Sequence, residues 1–271
     1  MWYRWDFMPK VPSLEDSSSW TAKRFTSIAL GNLLSHRRNW IKKKMQELGI
    51  KTPKDAIEFG IKEVKYPLYM GKPDDLHVWN AYHGKNCFKV MKDYWDSCFD
   101  VMMEVVLCRR FKCTPLSDCE GSSIYIAGML RILNVECYEV FGEVYRSDKR
   151  LGGHGWLIAK LEDNKWHLIE STLDTPPEYP DGYPVIDVDG NDWTVGNLRY
   201  HGWLRFTETI YEEWIEGDAK MNGGKRLDEY VKLTRKDKER WIKYKAIHEE
   251  WRIPTKPSVR RGLLSRLRWR K

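Results

Sequence analysis

Residues 117–133 read SDCEGSSIYIAGMLRIL, and residues 152–172 read GGHGWLIAKLEDNKWHLIEST. The first stretch has the apolar spacing of a helix that begins at Cys119, whereas the second contains two apolar runs rich in aromatic and β-branched residues. Three polar residues, 162–164, separate these runs and predict a turn. We therefore predict an α+β fold in which this helix packs against an antiparallel sheet.

The rest of the chain extends this core on both sides. Further helices are predicted over 21–48, from a Thr52 cap with Pro53 in the first turn, over 97–110 and over 227–251. Strands are predicted at 138–145, 156–161 and 166–169, and loops at 65–85 and 173–200, the latter with short strands. The predicted organisation is a helical N-terminal extension (1–75), a core (76–215), and a C-terminal helix with a basic tail (216–271).

The composition is typical of a globular protein. Of 271 residues, 42% are hydrophobic and 31% are charged, which provides enough apolar material for a sizeable core. No run of about 20 apolar residues predicts a membrane span, and residues 1–20 lack the apolar segment of a secretory signal. We therefore expect a cytoplasmic protein with no transmembrane segment.

The positive charge is concentrated at the C-terminus. The formal net charge is +7, and six basic residues without an acid lie within 260–271, which leaves +1 (7 − 6) for the rest of the chain. Leucines and a tryptophan are interleaved with these charges. We predict that this basic tail contacts nucleic acid, an anionic surface or an assembly partner, and a solvated tail is the alternative.

The cysteines do not indicate a disulfide framework. They lie at positions 87, 98, 108, 113, 119 and 137, and we expect most of them to be buried thiols. Because no C-x-x-C pair is present, a zinc site would need the looser set His83, Cys87, Cys108 and Cys113, which remains an alternative. Otherwise we expect no metal and no cofactor.

Cys119 is the candidate nucleophile. It lies where a loop ends and a helix begins, and there the exposed N–H groups and the helix dipole favour a thiolate. Asp118 and Glu120 flank it, and their charges oppose ionisation, so a nearby imidazole is needed to activate the sulfur. The alternative is a buried structural cysteine that begins a core helix.

His154 is the candidate base, and the hairpin register identifies its partner. A three-residue turn at 162–164 pairs Leu161 with Lys165 and, by extension, His154 with Thr172. Glu170 then lies diagonally opposite His154 on the same face, within reach of one hydrogen bond. We predict that this carboxylate orients the imidazole, and Asp174 is the substitute if the register differs.

The motifs in this order resemble the transglutaminase-like superfamily, whose members share a papain-like core. The resemblance covers roughly 90–175 and is carried by 117–121 (SDCEG), 130–135 (LRILNV), 142–144 (GEV), 154–156 (HGW) and 166–172 (WHLIEST). It implies that Cys119 is the nucleophile, His154 the base and Glu170 the orienting residue, where the family has an aspartate. It also implies that the indole N–H of Trp95 and the backbone N–H of Cys119 bind the oxyanion, and a core role is the alternative for Trp95.

The resemblance implies attack by a thiolate on an amide or isopeptide carbonyl of a protein or peptide substrate. Small microbial and viral members of the family favour hydrolysis of the resulting thioester, as in a cysteine protease or amidase. Transfer of the acyl group to an amine, as in a transglutaminase, is the alternative. A third hypothesis is an inactive binding or structural module of a larger assembly such as a virion, and location in the virion is the alternative to the cytoplasm.

Overall fold

The computed structural model describes residues 37–71, 76–78, 88–90, 96–208, 210–215 and 240–245, together with Leu30 and Leu33. Within these residues the helices are α1 (Arg37–Glu47), α2 (Pro53–Glu63), α3 (Cys98–Phe111) and α4 (Cys119–Ile132), with a 3-10 turn at Pro67–Met70. The strands are β1 (Leu76–Val78), β2 (Phe88–Val90), β3 (Cys137–Arg146), β4 (Lys149–Lys160), β5 (Trp166–Ile169), β6 (Asp192–Val195), β7 (Leu198–Phe206), β8 (Ile210–Ile215) and β9 (Arg240–Lys245).

Seven strands form one antiparallel sheet. Their order is β5-β4-β3-β7-β8-β9, and β6 pairs with the first half of β7 outside this path. β1 and β2 form a separate two-stranded sheet. The predicted α+β fold, with α4 packed on an antiparallel sheet, is confirmed.

Side-chain caps fix where the helices begin. The Thr52 hydroxyl accepts a hydrogen bond from the backbone N–H of Asp55, and Pro53 occupies the first turn of α2. Ser97 caps α3 in the same way. These contacts satisfy N–H groups that have no partner inside the helix, so the predicted starts of α2 and α3 are confirmed.

The helices share one apolar core with the inner face of the sheet. α4 lies at its centre, and Gly128 allows α3 to approach closely, because a Cβ there would lie 2.3 Å from the sulfur of Cys98. Ile126 of α4 is fully buried, as are Phe141 of β3 and Leu157 of β4. This layer holds the beginning of α4 next to β4.

A second apolar cluster covers the opposite face of the sheet. It contains Trp156 and Ile158 of β4, Leu168 of β5, Trp193 of β6 and Tyr200 of β7, all of them buried. Side chains of a strand alternate between the two faces, so His154 lies on the same face as Trp156, whereas Gly155 faces α4.

Three predictions about the elements are wrong in part. The loop predicted over 65–85 contains the 3-10 turn and β1, and β4 begins at Lys149, so His154 lies inside a strand rather than at its start. Of the helix predicted over 227–251, the described residues 240–245 form a strand, because they pair with the edge of β8, and the others lie outside the described ranges. Pairing with a neighbouring strand overrides the helical propensity of this charged segment. Of the helix predicted over 21–48, the described part includes α1.

The expectation of free thiols is wrong for one pair. Cys108 and Cys113 form a disulfide at the end of α3, which removes two thiolates from the alternative zinc set. Cys98, Cys119 and Cys137 are free and buried. Within the described ranges, no cluster of three or more acidic, histidine or cysteine side chains could hold a metal ion.

Several predictions concern residues outside the described ranges. They include Trp95, His83, Cys87 and the basic tail 260–271. In the described part of the chain, no helix has the length and apolar character to cross a bilayer. The three-part domain division stays a prediction.

Candidate active site

Cys119 is the first residue of α4. Asp118 is the N-cap, and its carboxylate accepts a hydrogen bond from the backbone N–H of Gly121 at 3.1 Å. The Cys119 side chain therefore lies at the N-terminal end of the helix, where the helix dipole favours negative charge. The residue is 7% exposed, so its sulfur is almost completely covered.

Gly155 brings β4 into contact with this helix end. β5 pairs with β4 only from Lys160 to Leu157, and the backbone N–H of Gly155, beyond that pairing, lies near the Cys119 sulfur and acts to lower the pKa of the thiol. A Cβ on Gly155 would lie 3.2 Å from the Cα of Glu120 and 2.9 Å from a ring carbon of Phe141. Only a residue without a side chain permits this approach, which places the sulfur beside the residue that follows His154.

His154 and Glu170 form a hydrogen-bonded pair. The structure pairs Leu157 with Ile169 and Ile158 with Leu168, which is the predicted hairpin register. His154 Nε2 lies 2.7 Å from Glu170 Oε2, so the predicted juxtaposition of these side chains is confirmed. Because Glu170 engages Nε2, Nδ1 is the ring nitrogen suited to take the thiol proton.

Three further donors hold the Glu170 carboxylate. The backbone N–H and the hydroxyl of Thr172 donate to Oε1 at 3.0 and 2.7 Å, and the Tyr200 hydroxyl donates to Oε2 at 3.1 Å. Burial by itself would raise the pKa of Glu170. The charge and hydrogen bond of His154, together with the Thr172 donors, outweigh burial and lower this pKa to about 2. Glu170 is therefore an anion at neutral pH.

Aromatic rings fix the orientation of the imidazole. The His154 ring stacks near Trp156, with centroids 6.1 Å apart, and lies 6.3 Å from the ring of Tyr200. Trp156 is completely buried, and it contacts Tyr200 edge to face. The imidazole is only 17% exposed, so its orientation is set by these rings and by Glu170.

The thiol of Cys119 is un-ionised in the resting site. Its S–H donates a hydrogen bond to Glu120 Oε2 at 2.9 Å. Burial raises the pKa of Cys119 well above its ordinary value, the charges of Glu120 and Asp118 raise it further, and the Gly155 N–H opposes them. Burial also raises the pKa of Glu120 to about 8, with a contribution from Asp118. The sequence correctly indicated that the flanking acids oppose ionisation.

The structure brings several of the predicted residues into one region. Gly155, the neighbour of His154, lies against Glu120 and close to Cys119 at the beginning of α4, and His154 is hydrogen-bonded to Glu170. Asp174, the substitute for Glu170, instead lies 3.5 Å from Lys65, with its side chain 78% exposed. The oxyanion role of Trp95 lies outside the described residues and stays a prediction.

Sequence reasoning missed three contributors to the site. Tyr200 comes from a segment predicted as loop, and no local pattern connects it to Glu170. Thr172 follows Glu170 by two residues, and the sequence indicated its place in the hairpin register but not its hydrogen bonds to the carboxylate. The contact of Glu120 with the sulfur was missed because both side chains belong to the first helical turn, where rotamers decide which groups meet.

Comparisons with known proteins give a distant structural similarity. Searches against protein-family models and curated proteins find no match. Among solved structures, EGTA-treated LapG of Legionella pneumophila is 13% identical, with a TM-score of 0.29 over 53% of this chain and 64% of that chain. A second LapG structure is 12% identical, with a TM-score of 0.31 over 84% of this chain and 95% of that chain.

The chain is distantly similar in structure to LapG. It spans less than two-thirds of the first of the two LapG structures.

Proposed function

We propose that this protein is a thiol-dependent hydrolase, a cysteine protease or amidase, that attacks an amide or isopeptide carbonyl. The observation that carries the proposal is the 2.7 Å hydrogen bond between His154 and Glu170, one residue along β4 from Gly155, whose backbone approaches Cys119 at the beginning of α4. A thiol, an imidazole and a buried carboxylate in this arrangement supply a nucleophile, a base and an anion that stabilises the imidazolium.

The resting state of the thiol determines the first step. Because burial keeps Cys119 protonated, its proton must leave as the sulfur attacks, and Nδ1 of His154 is the acceptor. The imidazolium formed is stabilised by the ionised Glu170. Attack gives a tetrahedral intermediate, His154 then protonates the leaving amine, and a thioester remains on Cys119.

Water completes the reaction. His154, again neutral, accepts a proton from a water molecule that attacks the thioester, and Cys119 is released as a thiol. The backbone N–H of Cys119 is the proposed donor to the oxyanion in both steps, and it lies at the free N-terminal end of α4. Trp95 remains the proposed second donor. No cofactor is required by this chemistry.

The proposal is tested by thiol labelling followed by mass spectrometry. Iodoacetamide should modify Cys119 faster than the buried Cys98 and Cys137, and His154→Ala should remove this preference while the fold is retained. Cys98 and Cys137 are internal controls, since both are free thiols that belong to the apolar core. Equal labelling of all three thiols, or labelling unaffected by His154→Ala, would favour a binding module instead.

The fate of the acyl group is tested separately. Incubation with candidate peptides, acid quenching and intact-mass measurement should reveal a thioester on wild-type protein and none on Cys119→Ala. Adding a primary amine separates the two outcomes, because a hydrolase releases an acid, whereas an acyltransferase releases an amide. Substrate and scissile bond are then read from the mass of the adduct.

A further inference from the structure

A carboxylic acid is buried between the nucleophile helix and the sheet. Glu139 of β3 is 0% exposed and lies on the strand face that packs against α4. Its cross-strand partners are Leu157 on one side and Phe206 on the other, and both are buried core residues. An apolar side chain would be expected here, because a buried acid costs free energy unless it has a partner.

The partner of Glu139 is the hydroxyl of Ser123, one helical turn after Cys119. Ser123 Oγ is hydrogen-bonded to Glu139 Oε1, and it lies 2.6 Å from the carbonyl oxygen of Cys119 and 3.1 Å from that of Glu120. A hydroxyl has one proton to donate, and both carbonyl oxygens only accept. If the Ser123 hydroxyl donates its proton to one of these carbonyl oxygens, its hydrogen bond with Glu139 must use a proton carried by the Glu139 carboxyl group.

The surroundings favour the protonated form of Glu139. Burial raises the pKa of Glu139 well above its ordinary value, and the charges of Glu120 and Glu170 raise it further, although the Ser123 hydrogen bond acts in the opposite direction. In the part of the chain that the structure describes, no cation is among the groups that shift this pKa. A neutral acid that donates to Ser123 therefore agrees with both the proton count and the electrostatics.

We propose that Glu139 is a positioning residue for the nucleophile: it donates a hydrogen bond to Ser123, which in turn donates to the carbonyl oxygen of Cys119. This inference rests on the proposed thiol chemistry. The peptide unit between Cys119 and Glu120 accepts this bond at its carbonyl end, and its N–H points to the end of α4 where the sulfur lies. A donor at the carbonyl end polarises this unit and strengthens its interaction with a developing thiolate.

The size of the effect follows from charge interactions at helix ends. Such interactions change an equilibrium by about twofold to fivefold. Loss of the Glu139 bond should therefore slow alkylation of Cys119, measured at one fixed pH, by about twofold to fivefold. In these variants the alkylation rate of Cys119 should still fall when His154 is also replaced by alanine.

The same residue contributes little to the stability of the fold. Glu139 Oε2 is buried and has no hydrogen-bond partner among the described residues, which is unfavourable for folding. An apolar side chain of similar size at position 139 would remove this unsatisfied atom and pack against Leu157 and Phe206. Glu139→Leu should therefore leave the melting temperature unchanged or raise it while reactivity falls, a combination that a purely structural role would not produce.

The experiment compares iodoacetamide alkylation rates of Cys119 and melting temperatures in three variants of the full chain. Glu139→Leu and Ser123→Ala should each be slowed about twofold to fivefold, and Glu139→Gln, whose amide still donates to Ser123, should stay within about twofold of wild type. Glu136→Leu, at an exposed position three residues away, is the matched control and should match wild type.

Unchanged rates in both Glu139→Leu and Ser123→Ala would overturn the proposal, as would equal slowing in Glu139→Leu and Glu139→Gln. If Glu139→Leu fails to fold, Ser123→Ala decides alone, and a wild-type rate in it overturns the proposal. Failure of the proposed function gives a different result: wild-type Cys119 would then react no faster than Cys98, and its rate would not depend on His154.

Discussion

Replacing Glu170 by glutamine removes the negative charge beside His154 and keeps the length of the side chain. The pKa of Glu170 is about 2 and its ordinary value is 4.5, so the folded protein favours the anion. At about 1.36 kcal/mol for each pKa unit, this net preference is about 3 kcal/mol. Burial opposes it, and His154 is the leading group that favours it, ahead of Thr172, so the value gives the order of magnitude of the mutual stabilisation of carboxylate and imidazolium.

The imidazolium forms only as the thiol attacks, and for this reason the loss should appear in kcat rather than in KM. A change of about 3 kcal/mol corresponds to about a 100-fold fall in rate. The assay is release of p-nitrophenolate from p-nitrophenyl acetate, with the background of Cys119→Ala subtracted. Glu162→Gln, at an exposed position in the β4–β5 turn, is the control and should react like wild type.

A folded Glu170→Gln variant that retains kcat within about fivefold of wild type would contradict the proposed role of Glu170 and remove it from the site.

The pH dependence of the stability of the fold tests the same carboxylate independently of activity. The lowered pKa stabilises the fold above pH 4.5, and this contribution is lost as the pH falls from 4.5 to about 2. Glu170→Gln should lack this acid-dependent component of the melting temperature.

Three further outcomes are expected. Glu120→Gln removes a carboxyl group whose pKa is about 8 and which contacts the Cys119 sulfur. Because this group is charged only above pH 8, alkylation of Cys119 should become roughly tenfold faster there and change little at pH 6. Equal rates for the variant and wild type at pH 9 would contradict this. Gly155→Ala should lower stability by about 1–3 kcal/mol in denaturant titrations, whereas Gly152→Ala, where a Cβ meets nothing within 4 Å, should not. Glu208→Gln breaks a bidentate pair with the arginine near the end of α4 and should cost about 1–3 kcal/mol; an unchanged denaturation midpoint would contradict it.

The hairpin shows how much of the site was present in local sequence. The turn at 162–164 determines which residues of β4 and β5 lie opposite each other, and side chains of a strand point alternately to its two faces. These two facts place His154 and Glu170 on the same face, close enough for contact. The capping residues likewise defined the starts of α2 and α3. These features depend on residues a few positions apart, which a single sequence displays directly.

The conformation of the segment 240–245 could not be predicted from local sequence. Its charges predicted an exposed helix, but it lies along β8 as a strand. The disulfide between Cys108 and Cys113 was missed for a related reason, since the spacing of two cysteines does not reveal whether the end of a helix turns their side chains together. Both the strand pairing and the disulfide depend on the path of the backbone, which the pattern of neighbouring residues in the sequence does not specify.

Local patterns in the sequence specify the α+β fold, the position of Cys119 at the beginning of a helix, and the pairing of His154 with Glu170, because each follows from periodicity or from the hairpin register. The hydrogen bond from Tyr200 to Glu170 and the hydrogen bond between Ser123 of α4 and Glu139 of β3 depend instead on the tertiary structure. These contacts join segments separated by 16 or 30 residues, and packing of the whole core determines which side chains meet there.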